Sequence, residues 1–178
     1  DPYIFSESLK KFKILPEISL TARKINERQP GEIINFLSKK VKSLQKPKKK
    51  IKVSLLGIAF KGFPLTDDLR GSMALELIKL LNKKFKKIEI SAFDPVVDKN
   101  KILNHKLIAS KSLDNAFSSK DLVIISNNNA YFSDLDLKKL TKKMNKNAVL
   151  YDVWNLYQKE NLSLNNGVKY FSLGNQNN

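Results

Sequence analysis

The chain is 178 residues long, 42% hydrophobic, and carries 33 basic against 17 acidic residues, a formal net charge of +16; such a length suits one domain plus an extra element. It has no cysteine, which excludes disulfides and thiolate chemistry within it; no apolar run reaches the roughly 18 residues of a membrane helix and no signal-peptide pattern is present, so a cytoplasmic protein is the default expectation. The charge raises nucleic acid as a partner, but the only arginines are Arg23, Arg28 and Arg70, and the densest run, Lys39 to Lys52, has eight lysines with no aromatic among them, so bidentate phosphate and base contacts and stacking platforms are both scarce.

Residues 1 to 15 read as an extended entry followed by a short amphipathic piece, helical from Ser6. Pro16 can open the next helix at its first turn. Leu20, Ile25, Ile33, Ile34, Phe36, Leu37, Val41 and Leu44 then recur at helical spacing. Pro30 interrupts the run, so two helices or one long kinked helix are expected from about 16 to 45. Such a stripe is too long to be covered by one small domain. Gln45 to Lys50 holds a proline and lysines with nothing to bury, and reads as a linker. The domain boundary is placed here, giving residues 1–45 and 46–178.

Beyond the linker the chain alternates. Residues 51–57 form a short apolar run that ends at Gly57, as a strand buried on both faces does. Met73, Leu77 and Leu81, with Ala74, Ile78 and Leu80 beside them, make the apolar face of a helix over about 72–86. A strand that breaks at glycine and re-emerges as a helix is the first half of a βαβ unit. Ligands bind beyond the carboxyl ends of strands in such sheets. The loop from Gly57 to Arg70 lies there and carries Phe60, Lys61, Asp67, Asp68 and Arg70. An ordinary solvated loop reads the same by composition. Neither G-x-G-x-x-G nor G-x-x-x-x-G-K-[ST] occurs in the chain, so the usual glycine signals for phosphate are missing.

Further on, residues 87–94 read as a strand closing on Asp94-Pro95, and 112–119 as a short helix. Residues 121–126 are a continuous apolar strand before Asn127, Asn128 and Asn129. A helix over 135–144 and strands over 148–155 and 168–174 complete the pattern. About five strands with intervening helices imply an α/β fold, a Rossmann-like parallel sheet with helices on both faces, preceded by a long helical segment. His105 is the only histidine, and a lone one in a polar loop suggests neither a metal site nor histidine-dependent catalysis.

In order along the chain stand D-P-Y, A-R-K-I-N, L-G-I-A-F-K, D-D-L-R-G-S, F-D-P and Y-F-S-L-G. In this combination the chain resembles the UDP-glucose/UDP-N-acetylhexosamine 6-dehydrogenase family, from the end of its central dimerising domain through its UDP-binding domain. The resemblance covers about residues 1 to 174. It implies NAD as cofactor, a UDP-sugar as substrate, and oxidation of the sugar C6 alcohol to a carboxylate in two steps through a cysteine adduct. It matches Asp1 to the catalytic aspartate, Phe60 and Lys61 to the substrate-binding pair, and Arg70 to an arginine that reaches the cofactor. Two more residues separate lysine from arginine than in the commonest form. It further implies a homodimer through residues 16–45, and an excised piece that is inactive without the cysteine and the dinucleotide-binding domain. The matching histidine is absent from the Asn127 loop. Trp154 stands where the family has a substrate-binding arginine, and is read as core, or else as a stacking surface for a base or sugar. The alternative from another class is a non-enzymatic basic nucleotide- or nucleic-acid-binding module.

Overall fold

A computed structural model describes residues 2–42, 50–158 and 161–175. Asp1, and the linker read between 45 and 49, lie outside the described residues. Helix α1 (Pro2–Leu9) begins at once, correcting the extended entry read from the sequence. Proline suits a first helical turn, where its missing N–H costs nothing. Helix α2 is a single helix, Glu17–Lys42, with Pro30 inside it. The helix continues past Pro30 without a donor for the carbonyl of Asn26, because proline has no N–H. What holds it is its second half. Ile33, Ile34, Leu37 and Val41 are buried there in the same core as the sheet, and burial of such an apolar stripe outweighs one lost hydrogen bond.

The remaining elements are β1 (Ile51–Leu56), α3 (Met73–Lys84), β2 (Ile88–Phe93), α4 (Lys99–Asn104), β3 (Ile108–Ala109), α5 (Leu113–Phe117), β4 (Leu122–Ile125), α6 (Leu137–Thr141), β5 (Val149–Asp152) and β6 (Lys169–Ser172). They form one sheet of six strands in the order β3-β2-β1-β4-β5-β6, and every pairing is parallel. The expected count was five. The added strand, β3, is two residues long and pairs Ile108 with Ser91 and Ala109 with Ala92, too short to leave a periodic trace in the sequence. Helix α6 is shorter than the expected 135–144. Its last turn tightens, with Lys143 N donating to Leu140 O and Met144 N to Thr141 O, bonds of the i→i+3 kind that end α-helices.

Alternation along each strand sends side chains to two cores. Val53, Leu55, Ile90, Leu122, Ile124 and Tyr151 meet α2, α3 and α4 on one face. Leu56, Val123, Ile125, Leu150 and Tyr170 meet α5 and α6 on the other. This is the doubly covered parallel sheet whose strands read as unbroken apolar runs. The sheet order reverses between β1 and β4, which opens a crevice at their carboxyl ends.

Candidate functional site

Two loops meet at that crevice. The loop after β1 and the loop after β4 approach so closely that only glycine fits at the contacts. Gly57 has φ +79°, and a Cβ there would come 2.2 Å from Asn127 Oδ1. A Cβ on Gly62 would come 1.9 Å from the backbone nitrogen of Asn129. The loops are then tied together. Ser126 Oγ donates to the carbonyls of Leu56 and Gly57 at 3.0 and 2.7 Å, and Gly62 N donates to Asn128 Oδ1 at 2.9 Å. Asn127 and Asn128 are therefore structural parts of the site that composition alone marks only as a polar turn.

Asp94, at the end of β2, fixes the same loop from the other side. Its Oδ2 accepts from Ile58 N and Ala59 N at 2.8 and 3.1 Å. Its Oδ1 accepts from Val96 N and Val97 N at 2.9 and 3.1 Å. Ser72 works in both directions. Its Oγ caps α3 by accepting from Ala74 N at 3.1 Å, and donates to Ile58 O at 2.7 Å. One hydroxyl thus starts the helix and staples it to the β1 loop, a use of the N-cap position that serine favours. Phe60 N donates to Asp68 O at 2.7 Å, which pinches the loop shut at its base. The tip of this closed excursion exposes Phe63 and Leu65.

Phe60 is 54% exposed and lines a cavity of about 820 Å³ between α2, the start of α3 and Trp154. Lys61 is the next residue, half-buried, and among the described residues has no ion-pair or hydrogen-bond partner. Arg70 is held elsewhere. Its side chain is 91% exposed and grips Asp68 with Nε at 3.0 Å and Nη2 at 2.7 Å. That pairing draws the Asp68 carboxyl down to about 2. Neither Lys61 nor Arg70 lines the cavity that Phe60 lines; Lys61 is next to Phe60 as its chain neighbour, and Arg70 precedes Gly71, which does line it.

Trp154 is not a core residue, contrary to the reading preferred from the sequence. It is 48% exposed and lines the cavity with Phe60, Ser72 and Ser126. Its indole Nε1 donates to Ser126 O at 3.2 Å. Its position is set by Asp152, which accepts from Trp154 N at 2.9 Å, Leu156 N at 2.6 Å and Tyr170 Oη at 2.9 Å. Burial pushes the Asp152 carboxyl up, against the pull of Tyr170 and the amides. Burial, then the Asp152 charge, push the Tyr170 hydroxyl well above its usual value.

The turn after β1 does not fit the pyrophosphate of a dinucleotide. Ile58 N and Ala59 N, the amides such a group would seek at this turn, are both taken by the Asp94 carboxylate. What remains open is the lysine beside Phe60 and the cavity beyond it. That arrangement suits a nucleotide approached by a point charge and by flat side chains, rather than one cradled by backbone amides.

Residues 54–159 match the family model described as the UDP-glucose/GDP-mannose dehydrogenase family, UDP binding domain. A UDP-glucose 6-dehydrogenase of Rickettsia typhi is 28% identical over 169 residues, which cover 93% of this chain and 37% of that protein. A UDP-N-acetyl-D-mannosamine dehydrogenase of Pyrococcus horikoshii is 27% identical over 151 residues, covering 84% of this chain and 32% of that protein. Among solved structures, the UDP-N-acetyl-mannosamine dehydrogenase of S. aureus superposes with a TM-score of 0.68 at 26% identity, over 90% of this chain and 34% of that one. The NDP-N-acetyl-D-galactosaminuronic acid dehydrogenase of Methanosarcina mazei does so with a TM-score of 0.75 over 97% of this chain and 36% of that one, and at 23% identity speaks for the fold alone. A Rossmann-like parallel sheet with helices on both faces is the class of domain this is. The chain belongs to the UDP-glucose/GDP-mannose dehydrogenase family and contains its UDP-binding domain. It spans about a third of the length of the curated relatives it matches.

Proposed function

We propose that the chain supplies the UDP-binding part of an NAD-dependent UDP-sugar 6-dehydrogenase, which oxidises the sugar C6 alcohol to a carboxylate. The observation that carries this is the position of Phe60 and Lys61. They sit at the carboxyl end of β1, beside the reversal of strand order, in a domain whose family model is described as UDP binding. Lys61 acts as a point charge towards the diphosphate, and Phe60 forms the wall between it and the cavity. Arg70 approaches the dinucleotide from the rim, and Asp1 belongs with the catalytic cysteine of the whole enzyme. The dinucleotide itself is held by another domain, since the β1 turn does not accommodate it. Residues 1–45 form the dimerising helical segment, and the enzyme works in the cytoplasm.

The test is titration of the chain with UDP, followed by calorimetry or NMR. Millimolar affinity, roughly −4 kcal/mol, is expected, with preference for UDP over dinucleotides. Lys61→Ala removes a charge-assisted contact worth about 1.5–3 kcal/mol, and leaves the fold intact because a loop lysine adds little to the core. Equal UDP binding by Lys61→Ala and the parent chain would show that the site lies elsewhere.

A further inference from the structure

Trp154 is a built surface rather than a loose side chain. Asp152 holds its backbone N–H at 2.9 Å and that of Leu156 at 2.6 Å, and the buried Tyr170 hydroxyl braces the same carboxylate at 2.9 Å. The indole N–H is already used on Ser126 O. The ring therefore offers a ligand its apolar surface and no hydrogen bond. Around it the cavity carries both signs of charge: Arg23 and Lys79 against Glu27 and Glu76, with Asn26 between them in the lining. These charges are largely paired with each other, Arg23 Nε on Glu27 at 2.8 Å and Lys79 Nζ near Glu76 at 3.4 Å.

A diphosphate gains nothing from a wall that is half carboxylate. A flat base has few groups to satisfy such a rim. A pyranose matches it on both counts: an apolar C–H face for the indole, and hydroxyls that both donate and accept around the edge. Phe60 lines the cavity and is followed in the chain by Lys61, so a sugar here lies one residue along from a phosphate held there.

We propose that Trp154 is the platform on which the hexose ring of the nucleotide sugar stacks, and that it sets the preference for a sugar nucleotide over the bare nucleotide. This rests on the site proposed above. Trp154 is the chain's only tryptophan, so intrinsic fluorescence reports on this position alone. The chain is titrated with UDP, UDP-glucose and UDP-N-acetylglucosamine, with emission and calorimetry recorded together. The sugar nucleotides are expected to change the emission, while bound UDP leaves it unchanged. The ratio of sugar-nucleotide to UDP affinity is expected to fall about tenfold in Trp154→Ala, the size of one good aromatic contact, and to be mostly retained in Trp154→Phe. Sugar-nucleotide binding with silent emission overturns the inference. So does emission that moves equally with UDP, which would place the base on the indole. An unchanged affinity ratio in Trp154→Ala overturns it as well. If UDP itself does not bind, the site fails and the platform with it, a result distinct from the other three.

Discussion

Asp94 shows how much of the site rests on single side chains. Four backbone N–H groups converge on its carboxylate, two from the β1 loop and two from its own turn. Asp94→Ala leaves all four without that acceptor. Each buried amide left unsatisfied costs about 1–3 kcal/mol, and water reaching Val96 N, the part-buried one of the four, reduces the total. A loss of about 3 kcal/mol in urea unfolding is expected, with weaker UDP binding as the Phe60–Lys61 loop loosens. A loss below 1 kcal/mol would show that the loop holds its shape by other means. Asp152 gives a prediction in pH. Its folded-state proton affinity is raised by burial, so between its unfolded value of about 3.9 and its raised folded value the folded state binds the extra proton. Its contribution to stability is greatest at low pH and declines as pH rises through that window. Asp152→Asn removes the titration. The stability of the parent chain minus that of Asp152→Asn should shrink from about pH 4 towards neutrality, read as urea midpoints; a difference that grows with pH would contradict the burial-driven shift. Part of this was legible beforehand. F-D-P was marked in the sequence as a strand end, but the four amides that Asp94 serves are brought together only by the fold.

At the scale of elements, α2 divides into two halves with opposite fates. Ile33, Ile34, Leu37 and Val41 are buried against α3 and the sheet. Ile18 is 87% exposed, and Ile25 is also exposed. Leu37→Ala should therefore cost about 2–5 kcal/mol, as buried leucines do, while Ile18→Ala should stay within about 0.5 kcal/mol. Thermal or urea unfolding of the two variants side by side tests this; similar costs would mean that α2 packs differently. Helix α3 illustrates a second rule. Its start is fixed by Ser72, which caps it locally and reaches Ile58 O across the site. A change there reaches the helix and the ligand loop together.

For the molecule as a whole, the uncovered surface is informative. Tyr3, Ile4, Phe5, Phe12, Ile14, Leu15, Ile18 and Ile25 are exposed along α1, the short 3-10 turn and loop that follow it, and the first half of α2. An apolar face of this kind is rare on a monomer and marks an interface. Self-association through this face is expected, visible in sedimentation velocity as a dimer that grows with concentration. Ile4→Ser with Ile18→Ser should shift it towards monomer without a change in the fold, since neither side chain is buried. A parent chain that stays monomeric at high concentration would remove the case for dimerisation by this segment. Among the described residues, no helix is long and apolar enough to cross a membrane.

The sequence by itself determined the class of fold. Continuous apolar strands, helices with one apolar stripe and glycine at the end of the first strand are local patterns, and local periodicity survives in a linear text. It also placed the loop from Gly57 to Arg70 at the carboxyl end of the sheet, because a strand-to-helix loop in a parallel sheet has one place to be; the choice of Phe60 and Lys61 within that loop came from the family resemblance. Tertiary structure alone decided the rest. The two-residue β3 exists only as a partner of β2, and Pro30 is tolerated in α2 because burial beyond it holds the helix. Gly62 is required by Asn129, 67 positions later in the chain. Trp154, an apolar residue just beyond a buried strand, reads as core in one dimension. The fold instead leaves it at the carboxyl edge of the sheet, facing the cavity, since what a side chain meets there depends on strand order, and strand order is set by packing between distant segments.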